Sequence, residues 1–461
     1  MSINRRKFLG HSLLAGAGTA LTTRAGAENI SPSQKPLRMA NGKLSIGVLG
    51  VGGRGRSHIE QLLYRDDCEV TAINDIDQYS IDECNKLFTK ANRPLPKVYL
   101  NGDRGYLDLL QHADIDAIII ATPWEWHSEM AIESMKAGLY TATEVCGAFS
   151  LDECWELVNT HESIGSHLFF MENVCYRRDV MAVLNMVRQQ LFGELIHFEC
   201  GYQHDLREVK FNDGKQAYGG GVEFNEKGFH EARWRTQHSV LRNGDLYPTH
   251  GIGPIALMND INRGNRFVYL TSMASKAKGL HDYIVNHPKG GYNHPNAKIE
   301  FKLGDVVTTM IKCNNGETVT LFHDTNLPRP YSLGFRVQGT KGIWMDVNQS
   351  LMLNGLTKGH NWEKADALLK QYDHPLWKKY EKNAENAGHG GMDWFVIHSF
   401  VEAAKAGAPA AMDVYDAATW LSITALSEES IAMGSHPVAF PDFTRGRWIK
   451  TKNTFAVNDL Y

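Results

Sequence analysis

From Lys43 onward the chain alternates short apolar runs with stretches of helical spacing. Leu44-Ser45-Ile46-Gly47-Val48-Leu49 is apolar at nearly every position and ends in glycines, the pattern of a strand buried on both faces. A helix is predicted over residues 55–64, a second strand over 69–74 closed by Asp75, and a helix over 76–91. Another strand of the buried type covers 116–121. A helix at 129–137 stops at Gly138 and leads into the strand 140–143, just before Glu144. Strands alternating with helices at this spacing predict a doubly wound parallel sheet.

After Glu172 the texture changes. Loops lengthen and become aromatic, and the β-like runs at 194–202, 267–273, 305–314, 318–324 and 334–338 look antiparallel. Two late helices are predicted at 394–406 and 415–432. A chain of 461 residues exceeds what one compact core holds, so two domains are expected. The reading is an α/β Rossmann domain over 43–171, then an α+β domain over 172–461 built on an open, mainly antiparallel sheet.

The segment before Lys43 reads as processing rather than fold. Asn4-Arg5-Arg6-Lys7-Phe8-Leu9-Gly10 resembles the twin-arginine consensus, and a weakly apolar, Gly/Ala-rich stretch follows over 12–21. Ala25-Gly26-Ala27 supplies a small-x-small cleavage pattern, so residues 1–27 are expected to be a signal peptide read by the twin-arginine export machinery. Residues 28–42, Pro-rich and polar, are expected to be a linker. The apolar stretch is shorter than the roughly 20 residues of a membrane span, so no span is expected and the mature protein is expected in the periplasm. That route carries folded protein, which suits a chain that collects a cofactor before export.

Composition narrows the picture. Hydrophobic residues at 43% and charged residues at 22% fit a soluble globular chain, and 48 basic against 52 acidic side chains leave no basic stripe for nucleic acid. The seven cysteines form no C-x-x-C and are expected to be buried apolar fillers without a disulfide framework. Twenty histidines invite a metal reading, yet no H-E-x-x-H or comparable ligand spacing occurs, and none is expected to bind metal. No G-x-S-x-G elbow occurs either, which argues against an α/β serine hydrolase.

The chemistry begins with Gly50-Val51-Gly52-Gly53-Arg54-Gly55, a G-x-G-x-x-G turn directly after the first strand and opening a helix. Such glycines allow the tight turn, the close approach of backbone N–H groups to a pyrophosphate, and helix–strand packing; the helix N-terminus favours the anion. Asp75, about 20 residues on, stands where an acid bonds the ribose hydroxyls and repels the extra phosphate of NADP. NAD is therefore the expected cofactor, with Arg54 as a mild counter-signal. Thr122-Pro123-Trp124-Glu125-Trp126-His127 and Glu144-Val145-Cys146-Gly147 follow later strands at the carboxyl edge, where open α/β sheets bind ligands. The two tryptophans serve there either the cofactor or packing between domains.

The glycine loop, the Thr-Pro-x-x-x-His turn and Glu144 resemble the glucose–fructose oxidoreductase/inositol dehydrogenase superfamily (Gfo/Idh/MocA). Its dehydrogenases usually carry Glu-Lys-Pro where this chain has Glu144-Val145-Cys146, so their lysine is missing. A narrower resemblance, to glycoside hydrolase family 109, covers nearly the whole mature chain. It rests on Trp124-Glu125-Trp126-His127, the block 172–179, Gly201-Tyr202-Gln203-His204-Asp205-Leu206-Arg207, Trp234-Arg235-Thr236 and Tyr247-Pro248-Thr249-His250-Gly251. The block 260–266, His323-Asp324-Thr325, Arg329-Pro330-Tyr331 and Gly388-His389-Gly390-Gly391-Met392-Asp393 extend it.

That resemblance implies an NAD-dependent exo-glycosidase, best known as α-N-acetylgalactosaminidase, acting on a glycoside with a terminal amino sugar. It implies a route in which NAD oxidises sugar carbon-3, the ketone acidifies carbon-2, the aglycone is eliminated, water adds and the hydride returns. It assigns Gly53, Arg54, Asp75, Trp124, Glu125, Trp126, His127, Glu144, Val145 and Asn173 to the cofactor. The sugar is assigned Tyr202, Arg235, Tyr247, Pro248, Thr249, His250 and Tyr331. Within that set His250 is the expected base at the carbon-3 hydroxyl. Tyr202 or Tyr247 takes the carbon-2 proton, its pKa lowered by Arg235, and Glu172 holds a hydroxyl or relays protons. A homodimer through the C-terminal sheet accords with the superfamily. Two other readings compete: a periplasmic sugar oxidoreductase that keeps its nicotinamide, and a sugar-binding protein that holds NAD structurally.

Overall fold

The computed structural model describes Met39, residues 42–385 and 387–458, and Tyr461. The expected signal peptide, and the linker apart from Met39 and Gly42, lie outside the described residues. The first sheet contains β1 (Leu44–Leu49), β2 (Cys68–Asn74), β3 (Lys97–Tyr99), β4 (Ala117–Ile120), β5 (Tyr140–Thr143) and β6 (Leu168–Phe170). All pair in parallel, in the order β3-β2-β1-β4-β5-β6. The order reverses between β1 and its neighbours β2 and β4, a switch point that opens a crevice at the strands' carboxyl ends. Every residue of β4, β5 and β6 is buried, as their apolar runs demand. β3 and β6 hold only three residues each, too short for their pattern to stand out in sequence.

The helix α1 (Gly53–Leu63) follows β1 and turns Ile59 and Leu62 onto the sheet side while Glu60 faces out. Further on, α2 (Leu151–Ile164) starts at Ser150, whose side chain caps the Glu153 N–H, and ends at Gly165 with φ +80°. Both are ordinary signals for helix ends.

The second sheet has nine strands: β7 (Leu195–Gln203), β8 (Phe267–Ala274), β9 (Val306–Cys313), β10 (Thr318–Asp324), β11 (Arg336–Gly339), β12 (Gly342–Met345), β13 (Ser350–Leu353), β14 (Glu363–Lys364) and β15 (Val438–Ala439). Their order is β14-β13-β12-β11-β7-β10-β9-β8-β15. Pairing is antiparallel throughout except between β7 and β10, which run parallel, with Tyr202 opposite His323. That pair departs from the antiparallel look of the sequence. The reason is topological: a parallel return needs a long crossover, and the chain between Gln203 and Phe267 is that crossover, after which β8, β9 and β10 follow antiparallel in turn. The crossover carries α3 (Arg235–Leu241) and α4 (Thr249–Met258).

Two C-terminal helices, α5 (Met392–Ala406) and α6 (Val414–Ala432), close the fold. α6 packs on both α2 and β8, which explains why it is apolar nearly all round. Its start is fixed by a capping box between Asp413 and Asp416. All seven cysteines are buried, as expected of small apolar fillers, and unpaired. Among the described residues no helix is long and apolar enough to cross a membrane, and no three His, Cys, Asp or Glu side chains are grouped to hold a metal ion.

Candidate active site

A cavity of about 590 Å³ follows the carboxyl edge of the first sheet and is shared with residues of the second half. Its size falls in the range of cofactor and ligand sites. On the first-sheet side the wall includes Gly50 after β1, Asp75 after β2, Trp124 to His127 after β4, and Glu144 and Val145 after β5.

The glycine turn is shaped for an anion. Gly50 has φ +79°, and a Cβ there would lie 2.7 Å from the Ala121 carbonyl oxygen. A Cβ on Gly55 would lie 1.9 Å from the Gly50 oxygen, whereas Gly52 faces open space. Helix α1 has no side-chain cap and no acid in its first turn, so the orphan N–H groups of that turn remain for a ligand. Asp75 accepts from the Val51 N–H at 2.8 Å and the Asp77 N–H at 2.9 Å, tying the glycine turn to the end of β2. These residues fit a dinucleotide: a cradle with room at Gly52, unspent N–H donors, and a carboxylate beyond β2.

Around the turn lies an ionic cluster. Arg54 Nε donates to Glu144 Oε1 at 2.6 Å, and His58 Nε2 meets the same oxygen at 2.6 Å. Burial works against the charge on Glu144, yet Arg54 and His58 hold its carboxyl down at about 2. Burial keeps His58 below its ordinary value. His127 is a pin between segments, with Nε2 2.7 Å from the Thr122 carbonyl and Nδ1 3.1 Å from that of Cys146. Only glycine fits opposite it, since a Cβ at Gly147 would come within 2.3 Å.

The facing wall is aromatic. Tyr202 at the end of β7 stacks on Tyr247, with ring centroids 4.4 Å apart. Tyr247 also packs against Trp124 at 5.5 Å. The Arg235 guanidinium lies over Trp124 at 4.7 Å and over Tyr247 at 5.3 Å, and it pairs with Glu231. Trp124 therefore lines the cavity and packs between the two halves at once. His250, in the first turn of α4, sets Nδ1 2.7 Å from Glu172 Oε1 and Nε2 3.4 Å from the Tyr247 hydroxyl. The Tyr202 hydroxyl is 3.1 Å from His204 Nδ1.

One expectation about these phenols is reversed. Burial pushes Tyr202 up to about 12 and Tyr247 well above its ordinary value; Arg235 pulls both down but does not prevail. A cation stacked over the rings offsets only part of what desolvation imposes. His204 is lowered, first by burial and then by Arg235, so its ring favours the neutral, proton-accepting form.

Residues 176–450 match the family model of the glycosyl hydrolase 109 C-terminal domain, and residues 44–171 match that of the oxidoreductase family with an NAD-binding Rossmann fold. The chain belongs to glycosyl hydrolase family 109. It is 51% identical to an α-N-acetylgalactosaminidase of Tannerella forsythia, over 99% of this chain and 100% of that one. A family 109 protein of Parabacteroides distasonis is also 51% identical, over 99% and 100%. Among solved structures, myo-inositol dehydrogenase from Lactobacillus casei in complex with NAD(H) and myo-inositol aligns with a TM-score of 0.56 at 14% identity. That alignment covers 87% of this chain and 99% of that one, a likeness of fold.

In this family 109 chain the cavity brings together most residues singled out from sequence. Gly50, Gly52, Gly53, Arg54, Asp75, Trp124, Glu125, Trp126, His127, Glu144, Val145 and Asn173 line it, as do Tyr202, Arg235, Tyr247 and His250. Gly55, Pro248 and Thr249 lie behind the lining, in packing positions set by the helix starts. Tyr331 is half exposed beside His204, with rings 4.9 Å apart, and outside the lining. Glu172 is fully buried behind His250 and outside the cavity lining, with Oε1 on the imidazole Nδ1.

Four residues carry no site role from sequence, although His204 and Asp393 stand within two of the family blocks. His204 stands two positions after Tyr202 on the same face, and His58 stands one helical turn after Arg54; both spacings were there to be read. Asp245, whose carboxylate accepts the Tyr247 N–H at 3.0 Å, also sits at an i, i+2 spacing. Asp393 reaches Arg54 from 339 positions away, and no local pattern announces it.

Proposed function

We propose that this chain is an exported, NAD-dependent exo-glycosidase that releases terminal α-N-acetylgalactosamine through transient oxidation at sugar carbon-3. The observation that carries the reading is that one cavity joins a nucleotide-type glycine cradle to an imidazole–phenol cluster. The activity named for the Tannerella forsythia relative supports the sugar. Asp75 disfavours the extra phosphate of NADP and so favours NAD.

Nicotinamide bound in the cradle would supply a reversible hydride acceptor for carbon-3, returning the hydride after elimination and hydration. The chain's own residues do the proton work. His250, with Nδ1 committed to Glu172, takes the carbon-3 hydroxyl proton on Nε2. Tyr202 takes the carbon-2 proton while passing its own to neutral His204, so a two-residue relay replaces the lowered phenol pKa that the site does not provide. Arg235 and the protonated Tyr247 stabilise the enolate oxygen. The aglycone then leaves carbon-1 and water adds.

The test uses purified protein, nitrophenyl α-N-acetylgalactosaminide and no added NAD. Release of nitrophenolate with solvent deuterium entering carbon-2 of the sugar is the expected result. Release without exchange would point to direct displacement, and a nicotinamide absorbance change with free sugars but no release would make the chain an oxidoreductase. Twin-arginine export with cleavage after Ala27 belongs to the same proposal, and the N-terminus of periplasmic protein checks it by mass spectrometry. So does a homodimer across the outer face of the second sheet, where Tyr269, Met273 and Met310 are exposed on adjacent strands; sedimentation reads it directly.

A further inference from the structure

The block Gly388 to Asp393 has no part in the chemistry above, yet it reaches the cavity. His389 lines the wall, and its backbone is left-handed (φ +52°), as are Gly390 (φ +65°) and Gly391 (φ +98°). Asp393, in the first turn of α5, is wholly buried. Its Oδ2 accepts from His389 Nδ1 at 2.7 Å and from Arg54 Nη1 at 2.9 Å, and its Oδ1 accepts from Asn173 Nδ2 at 2.9 Å. Gly388 makes the approach possible, because a Cβ there would lie 2.5 Å from Asp393 Oδ2.

Arg54 is thus held from two sides. Glu144 at the end of β5 takes Nε, Asp393 takes Nη1, and Nη2 has no partner among the described residues. Arg54 itself belongs to the glycine turn and to the first turn of α1. The network therefore ties the anion cradle to the start of a helix more than 330 residues away in sequence. Parting the cradle from α5 would leave Arg54 with Glu144 but take the cation away from Asp393, and a buried carboxylate so stranded is strongly disfavoured.

We propose that Asp393 and His389 are positioning residues that latch the dinucleotide pocket, clamping Arg54 across Glu144 so that the cofactor's residence time is set by this network. The proposal rests on the reading of the cavity as an NAD site. A cofactor restored in every turnover has no need to exchange, and a latch that opens rarely matches that demand.

The experiment follows dinucleotide rather than catalysis. Bound NAD per chain is measured after gel filtration, and its release rate is followed by exchange against etheno-NAD, with the thermal midpoint of stripped protein as control. His389→Ala, on a side chain 59% exposed, and Asp393→Asn are expected to release NAD at least about tenfold faster. His389→Asn, which returns an N–H toward Asp393, is expected to restore slow release. If Asp393→Asn fails to fold, the two His389 variants carry the test. Release at the wild-type rate in His389→Ala overturns the latch, and so does faster release that tracks a lower midpoint or is not rescued by His389→Asn. Wild-type protein that binds neither NAD nor etheno-NAD would instead sink the reading of the cavity itself.

Discussion

His250 Nδ1 and Glu172 Oε1 lie 2.7 Å apart, and the other oxygen of Glu172 is buried with no partner. An ionised carboxylate only accepts, so Nδ1 carries the imidazole proton and Nε2 keeps its lone pair for the substrate. Glu172→Gln removes that bias: the amide can offer an N–H to Nδ1 and turn the tautomer over. Turnover of the aryl glycoside is expected to fall on the order of 10²–10⁴-fold, as when a tautomer-fixing carboxylate is amidated elsewhere. Bound NAD should stay at the wild-type level, because Glu172 does not line the cavity. Steady-state kinetics and extraction of the cofactor measure the two arms.

His250→Ala is expected to abolish turnover and to leave NAD in place. It also strips Glu172 of its partner, leaving the Val174 N–H at 3.1 Å as its remaining donor. A buried carboxylate that loses a donor costs about 1–3 kcal/mol, so chemical denaturation should show a stability loss of that order. Loss of NAD along with activity would mean that His250 belongs to the cofactor's wall rather than to the proton chemistry.

Tyr202→Phe separates the two proton transfers. With the hydroxyl gone, His204 loses its link to carbon-2, while His250 and Glu172 are untouched. Carbon-3 oxidation should therefore continue and carbon-2 deprotonation stop. Supplied with substrate, the variant is expected to build up absorbance at the reduced-nicotinamide band, to lose solvent deuterium exchange and to turn over at least about 100-fold more slowly. Exchange at the wild-type rate would assign the carbon-2 proton to another group, with Tyr247 the next to test.

How much of this was legible in the residues divides by range. The parallel sheet and its glycine turn are written locally: β1, β4 and β5 are apolar runs that can exist only between two helical layers, and Gly55 answers to a contact within its own turn. Tyr202, Tyr247 and His250 stand out because their short blocks resemble those of glycoside hydrolase family 109. What the sequence did not disclose is long-range or environmental. The parallel pairing of β7 with β10 depends on a crossover rather than on either strand's pattern. Asp393 meets Arg54 only once α5 has docked. The raised phenol pKa values come from burial, which no neighbour in sequence reveals, so Arg235 was credited with a shift that desolvation overrides.

Burial also sets the last prediction. Asp245 sits under Tyr247 with Oδ1 accepting the Tyr247 N–H and Oδ2 buried without a partner. Desolvation pushes its carboxyl up to about 7, against the pull of that single N–H. In the unfolded chain the same group titrates near about 3.9. Between those values the native state holds a proton that the unfolded state has lost, so this group's contribution to stability is full below the lower value. It fades as pH rises towards the upper one. Asp245→Asn keeps the acceptor for Tyr247 and removes the ionisation. The variant's thermal midpoint should exceed that of wild type by a few degrees at about pH 8 and by a clearly smaller margin at about pH 5, converging on it only towards about pH 4. Calorimetry at the two pH values decides, and an equal gap at both would mean that Asp245 is already ionised in the folded protein at the lower pH and that burial has not raised it.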